Sequence, residues 1–251
     1  MMNWTGELHV EKECGSPFVS KRFARYPLRF LFQEKAHCAW VYLVSFGGGI
    51  VAGDMIKLSV IIGRDSSCVI TTQASTKVYK TSNNAMAEQF ISYQVQTGAV
   101  LFVAPEPITC FRDSAFKQHQ EIRLEQGANL VFVDWITSGR THENWVMRLY
   151  ENRISIYLDS QLVCAENMVL QGNNPQRMGM IKVFATVILI GDKVVPLLQK
   201  LQFKNTVSKS SLIDNQGIVF RFAGENVADV RNDLGNIMKL FKIMTDDQVF
   251  V

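Results

Sequence analysis

The chain has 251 residues, 47% of them apolar, 20% charged and 10% aromatic, which is enough apolar material for a substantial core and excludes a disordered chain or a solvated coiled coil. The formal charge of +3 comes from 26 basic and 23 acidic residues without a clustered basic stripe, so a nucleic-acid binder is not indicated. No apolar run reaches the 18 residues of a membrane span, and the N-terminal MMNWTGELHVEKE lacks the order of a signal peptide. The expectation is a soluble cytoplasmic protein.

Short β-type runs fill the first two thirds. Residues 38–46 (CAWVYLVSF), 55–62 (MIKLSVII), 67–73 (SCVITTQ) and 89–96 (QFISYQVQ) are rich in β-branched and aromatic residues. Glycine and Asn/Asp/Ser clusters at 47–49, 63–65 and 82–84 bound them. Further strands are expected at 99–103, 129–135, 145–150 and 153–158, with Glu151-Asn152 as a hairpin turn between the last two. A weak repeat runs through this part: Gly98-Ala99 and Gln126-Gly127-Ala128 each lead into an apolar strand, and Gly63 followed by 68–71 (CVIT) is a looser third copy. The three glycines lie 35 and 29 residues apart, the spacing of two-strand rungs that stack to bury a shared face. Helical periodicity appears late. Val227, Val230, Leu234, Ile237, Met238 and Phe241 share one face, a shorter helix is expected from about Asp192 through Pro196 to Leu201, and 218–222 (IVFRF) reads as a strand between them. With no linker, the chain reads as one mostly-β domain, 1–251, of stacked strands resembling a β-helix, with two helices in its C-terminal part.

Cysteines at 14, 38, 68, 110 and 164 are odd in number, widely spaced and free of CxxC pairs, so they read as free thiols. The four histidines form no HxH or HExxH pair. Three segments stand out. In 47–54 (GGGIVAGD), Gly47-x-Gly49-x-x-Ala52 has dinucleotide-fingerprint spacing, but a strand follows where a helix must point at the phosphates. Gly48 to Gly53 has Walker spacing, but Asp54-Met55 stands where Lys-Ser/Thr is needed. A tight glycine turn capped by Asp54 is the better reading. In 71–80 (TTQASTKVYK) most side chains are polar, which suits a partner surface or a wet channel better than a packed strand. Ser75-Thr76-Lys77 lacks the Ser-x-x-Lys spacing of a serine/lysine hydrolase. In 134–143 (DWITSGRTHE), Asp134, His142 and Glu143 are acid, base or ligand candidates for a hydrolase, set against a simple turn with an Arg140–acid contact.

Together GGGIVAGD at 47–54, TTQASTKVYK at 71–80, PEPITCF at 105–111, DWITSGR at 134–140 and the GIVFRF strand at 217–222 resemble the UreD (UreH) family of urease accessory proteins, over about residues 6–241, with wording close to its eukaryotic members. The signature positions carried over are Gly48, Gly49, Gly53, Asp54, Thr71, Thr72, Gln73, Thr76, Lys77, Tyr79, Pro105, Pro107, Phe111, Gly139 and Arg140. The resemblance implies a non-catalytic protein that binds UreF, through it the GTPase UreG, and apo-urease, in a hetero-oligomer that delivers nickel. It implies no tightly bound cofactor. Nickel would be a transient ion in a water-filled tunnel, with Asp54, Thr71, Thr72, Gln73 and Glu143 as tunnel candidates. A bare interaction module without metal traffic is the alternative. The chain departs from the family at Gly139-Arg140, where Thr141-His142-Glu143-Asn144-Trp145 replaces a longer Gly-Glu-x-Trp segment.

Overall fold

Aliphatic residues at every second position of MIKLSVII make Ile56, Leu58, Val60 and Ile62 one buried row, and the same period-two device, repeated, builds the protein. In this computed structural model the described residues are 3–33, 37–81, 85–172, 175–196, 206–211 and 216–245.

The chain winds as a coil between two sheets. One turn comprises β5 (Met55–Ile62), β6 (Ser67–Thr72) and β7 (Thr76–Val78); the next comprises β8 (Ala87–Val95), β9 (Val100–Val103) and β10 (Ile108–Cys110). β11 (Ala115–Leu124) and β12 (Asn129–Thr137) complete a third, and β13 (Leu149–Leu158) opens a fourth. Because each turn repeats the same path, β5, β8, β11 and β13 pair in parallel in one sheet, and β6, β9 and β12 in the other. At each edge the outermost strand pairs antiparallel with its neighbour. β1 (Gly6–Glu13) and β2 (Ser16–Ala24) extend the first sheet beyond β5, and β14 (Gln161–Leu170) extends it beyond β13. β3 (Leu28–Gln33) and β4 (Ala39–Ser45) flank β6, while β15 (Val183–Ile190), β17 (Gly217–Gly224) and β16 (Thr206–Ser211) continue outward from β12.

The turns from first sheet to second explain the repeat. In register, Ser67, Val100 and Asn129 stand side by side, so Gly98 and Gly127 are matched by Asp65 and not by Gly63. All three have left-handed backbone, with φ of 55° at Asp65, 73° at Gly98 and 77° at Gly127. Asp is among the few side chains that tolerate this region. At Gly98 a Cβ would also sit 2.0 Å from Asp65 Oδ1, so any larger residue there would have to push the Asp65 side chain aside.

Two sequence expectations fail. β13 runs unbroken through Glu151-Asn152, held by ten consecutive parallel pairings with β11, and the hairpin turn falls at Asp159-Ser160, both with positive φ. Trp145 likewise lies in a loop, with φ 55°, and not in a strand. Of the two expected helices, one is present among the described residues: α1 (Val227–Thr245), whose N-terminus Asn226 caps by accepting a hydrogen bond from Ala228 N at 2.8 Å. The other falls largely on residues 197–201, outside those described; residues 192–194 form a turn.

Val230, Leu234 and Ile237 pack α1 onto Trp40, Val133, Trp135 and Phe222 on the outer face of the second sheet. Met238 and Phe241, expected on the same face, have side chains outside those described. Between the sheets lies the main core, including Leu8, Leu58, Ile91, Ile122, Phe132 and Ile156. A smaller cluster of Ile56, Phe116, Ile136, Trp145 and Tyr150 closes the opposite end. At about 1.5–3 kcal/mol for each fully buried aliphatic or aromatic side chain, these clusters supply the driving force for stacking.

Candidate functional site

The signature segments fall on loops at one end of successive turns, so the winding brings them together. Ile50 N donates to Lys77 O at 2.8 Å and Tyr79 N to Ile50 O at 2.9 Å, laying the glycine loop on β7. The approach requires Gly49, where a Cβ would lie 2.5 Å from Lys77 O. Gly48 and Gly53 take φ of 76° and 86°, and the Tyr79 hydroxyl donates to Gly48 O at 3.5 Å. Tyr79 meets Phe111 edge-on at 5.3 Å, and the Arg140 guanidinium lies over Phe111 at 4.0 Å. Residues 48, 79, 111 and 140 thus form one column.

Beneath them the proline loop is tied on every side. Glu106 N donates to Thr72 Oγ1 at 2.8 Å, Thr76 N to Pro107 O at 3.0 Å, and Trp135 Nε1 to Pro105 O at 2.8 Å. Arg231 on α1 donates to both oxygens of Glu106, at 2.8 and 2.7 Å. Thr71 Oγ1 donates to Ala104 O at 2.7 Å. These loops surround a cavity of about 290 Å³ whose wall includes Thr71, Thr72, Gln73, Thr76, Lys77 and Pro105.

Farther in, the wall becomes Gln89, Gln118, Gln120 and Asp134. Along β12 the inward row reads Leu130, Phe132, Asp134, Ile136, a carboxylate in an otherwise apolar series. Opposite it, Gln89, Gln118 and Asn152 stand in register across β8, β11 and β13. Asp134 is 5% exposed; its Oδ1 accepts from Gln120 Nε2 at 3.0 Å and its Oδ2 from Asn152 Nδ2 at 2.8 Å. Burial lifts its carboxyl to about 6, with the Gln120 hydrogen bond pulling the other way. Burial, and then the Asp134 charge, push the Tyr93 and Tyr150 phenols up as well. Gln118 Oε1 and Asn152 Oδ1 have no hydrogen-bond partner.

Asp134 also lines a second chamber of about 360 Å³, on the side of Asn152, Glu166, Thr186 and Arg221. A single buried carboxylate therefore joins two cavities, one reaching the signature loops and one reaching the side of the sandwich between β14 and β17.

The other expected residues lie elsewhere. Asp54 Oδ2 accepts from Val51 N at 2.9 Å, capping the glycine turn, and the residue lines neither cavity. Glu143 Oε2 accepts from Arg140 N at 3.2 Å inside the 138–145 loop, packed against Gly139, whose φ is 121°. His142 is exposed in that loop, so Asp134, His142 and Glu143 are not gathered into a hydrolytic site. Among the described residues no three His, Cys, Asp or Glu side chains converge as metal ligands, and no helix is long and apolar enough to cross a membrane. The five cysteines are free thiols, four of them buried. Gln118, Gln120 and Asn152 were not singled out from sequence; the readable signal was a polar residue breaking an apolar period-two row.

Comparison with known proteins accounts for the clustering of these loops. The family described as UreD urease accessory protein matches residues 5–248. Urease accessory protein D of Arabidopsis thaliana is 38% identical over 219 residues, covering 82% of this chain and 74% of that protein. Urease accessory protein UreD of Sorangium cellulosum is 32% identical over 240 residues, 90% of this chain and 76% of the relative. Urease accessory protein 4 of Cryptococcus neoformans is 27% identical over 290 residues, 93% and 89% of the two chains. The column of loops over the first cavity is thus built from the segments that carried the resemblance, and the chain belongs to the UreD family of urease accessory proteins.

Proposed function

We propose that this accessory protein is a single-domain, non-catalytic cytoplasmic scaffold that binds UreF, through it the GTPase UreG, and apo-urease, and that nickel crosses it as cargo. The observation that carries this reading is the cavity under the signature loops, whose mostly apolar wall is interrupted by oxygen-bearing side chains from Thr71, Thr72 and Gln73 to Asp134. Hydroxyl, amide and carboxylate oxygens hold a divalent ion less firmly than thiolate or imidazole sets, which suits an ion that must leave again. Asp54 and Glu143, both engaged in their own turns, are left out of the path; Thr71, Thr72, Gln73 and Asp134 are kept.

The test is Thr72→Lys, which places an ammonium on the cavity wall. Urease activation in cells supplying UreF, UreG and apo-urease is expected to fall at least tenfold, while the variant still co-purifies with UreF. Full activation by this variant would remove the cavity from the path. Failure of the unaltered chain to bind folded UreF in excess would remove the scaffold reading itself.

A further inference from the structure

The two sheets end differently on the side of the last coil. Arg221 Nε on β17 donates to Glu166 Oε2 on β14 at 3.1 Å, so β14, outermost in the first sheet, lies across from β17. The second sheet continues one strand further, to β16, which pairs with β17 from Thr206↔Ala223 to Ser211↔Ile218. Among the described residues no strand of the first sheet stands across from β16. β16 therefore overhangs, and the place beside β14 is a slot one strand wide. Its wall is the outer edge of β14, whose backbone N–H and C=O groups directed away from β13 have no ladder partner among the described strands. The opposite edge of the same sheet is protected. β2 carries Pro17, Lys21 and Arg22, and its ladder is interrupted at His9/Val10, all devices that keep a further strand from adding. β14 pairs without interruption from Cys164 to Leu170 and has neither proline nor a basic residue there. Its one charge, Glu166, is matched by Arg221, and Val169 is half exposed.

We propose that the edge of β14 receives one extended segment of a partner protein, added as a further strand of the first sheet. The overhang selects this occupant. A second copy joined β14 to β14 would be related by a two-fold axis perpendicular to the sheet, which puts both second sheets on one side. Each β16 would then fall on the place of the other copy's β17, so self-pairing is blocked. A single strand brings no second layer and meets no such clash. The side chains of β14 specify the segment's chemistry. Cys164, Met168 and Leu170 pack into the interior, so the segment carries aliphatic side chains at alternate positions on that face. Beside Glu166 it is uncharged, because the added strand covers an ion pair that is neutral as it stands. Seven residues match the uninterrupted stretch from Cys164 to Leu170, a length of about 23 Å.

Amide hydrogen exchange of the purified full chain tests this, with and without a synthetic peptide of alternating valine and threonine flanked by lysines. In the free chain, the β14 amides directed away from β13 are expected to exchange at least about tenfold faster than those directed towards it. Excess peptide is expected to slow them by about the same factor and to leave β2 unchanged. The same peptide N-methylated at every residue lacks the backbone donors and should protect nothing. Met168→Lys puts a charge on the interior-facing row and should abolish the protection, while unchanged exchange in β11 and β13 shows that the fold is kept. Outward β14 amides already protected in the free chain would mean that the chain covers this edge itself, and would overturn the proposal. No slowing at saturating peptide, or equal protection by the N-methylated peptide, overturns it as well. These free-chain and peptide measurements decide without any variant.

Discussion

The space between the two sheets is filled in two different ways. Towards the turns at Asp65, Gly98 and Gly127, the inward rows include Leu58, Ile122 and Phe132, all fully buried and lining neither cavity, so this half is a closely packed, dry core. One or two inward positions along the same strands the rows change to Gln89, Gln118, Gln120 and Asp134, and the interior holds two cavities. Nearly every coil strand contributes to both halves. Stability and chemistry are therefore separated along the strand direction and not along the chain, and the dry half offsets what the polar half costs.

Three substitutions sharpen or break this contrast. Phe132→Ala, in the dry half, is expected to cost about 3–5 kcal/mol in urea unfolding, the usual range for a fully buried aromatic. A loss below about 1 kcal/mol would mean that the two halves do not differ. Asp134→Asn, two residues away, is expected to have the opposite sign. Burial pushes the carboxyl up to about 6 from the ordinary aspartate value of 3.8, so the folded state holds its proton more tightly than the unfolded chain. Stability is thus lost as pH rises through the interval from 3.8 to about 6 and is regained on acidification. Two units correspond to about 3 kcal/mol, so with two hydrogen bonds rearranged the variant should gain about 1–2 kcal/mol at pH 7.5. That gain should shrink towards pH 4.5. Parallel curves for the two proteins at both pH values would show that Asp134 does not titrate in this range. The smallest effect is expected at the turns. Gly98→Ala forces a left-handed alanine against Asp65 and should cost about 1 kcal/mol in the same assay.

Much of the coil could be read in advance, because period-two alternation is a local signal. Residues 55–62 became β5 over their whole length, and the apolar face of α1 held at Val230, Leu234 and Ile237. The cavity wall at Thr71, Thr72 and Gln73 was visible as a strand too polar to pack. The polar belt was not, for a physical reason. Asp134, Gln120 and Asn152 meet across two sheets, and only the register of β11 with β13 and the winding between sheets decides that they do. Glu151-Asn152 carries turn chemistry and yet lies in mid-strand, because ten pairings with β11 outweigh a local preference. Gly63 drew attention as the third repeat glycine, although Asp65 holds the equivalent backbone conformation.

The parallel register also limits how such a chain can change its length. Side chains alternate between interior and exterior with a period of two, so loss or gain of one residue within β8, β11 or β13 would rotate Gln89, Gln118 or Asn152 out of the interior and put its exterior neighbour in its place. Related proteins that differ in length should therefore carry their insertions and deletions in the connections between coils, such as residues 79–86 and 138–148, and leave the strand interiors uninterrupted.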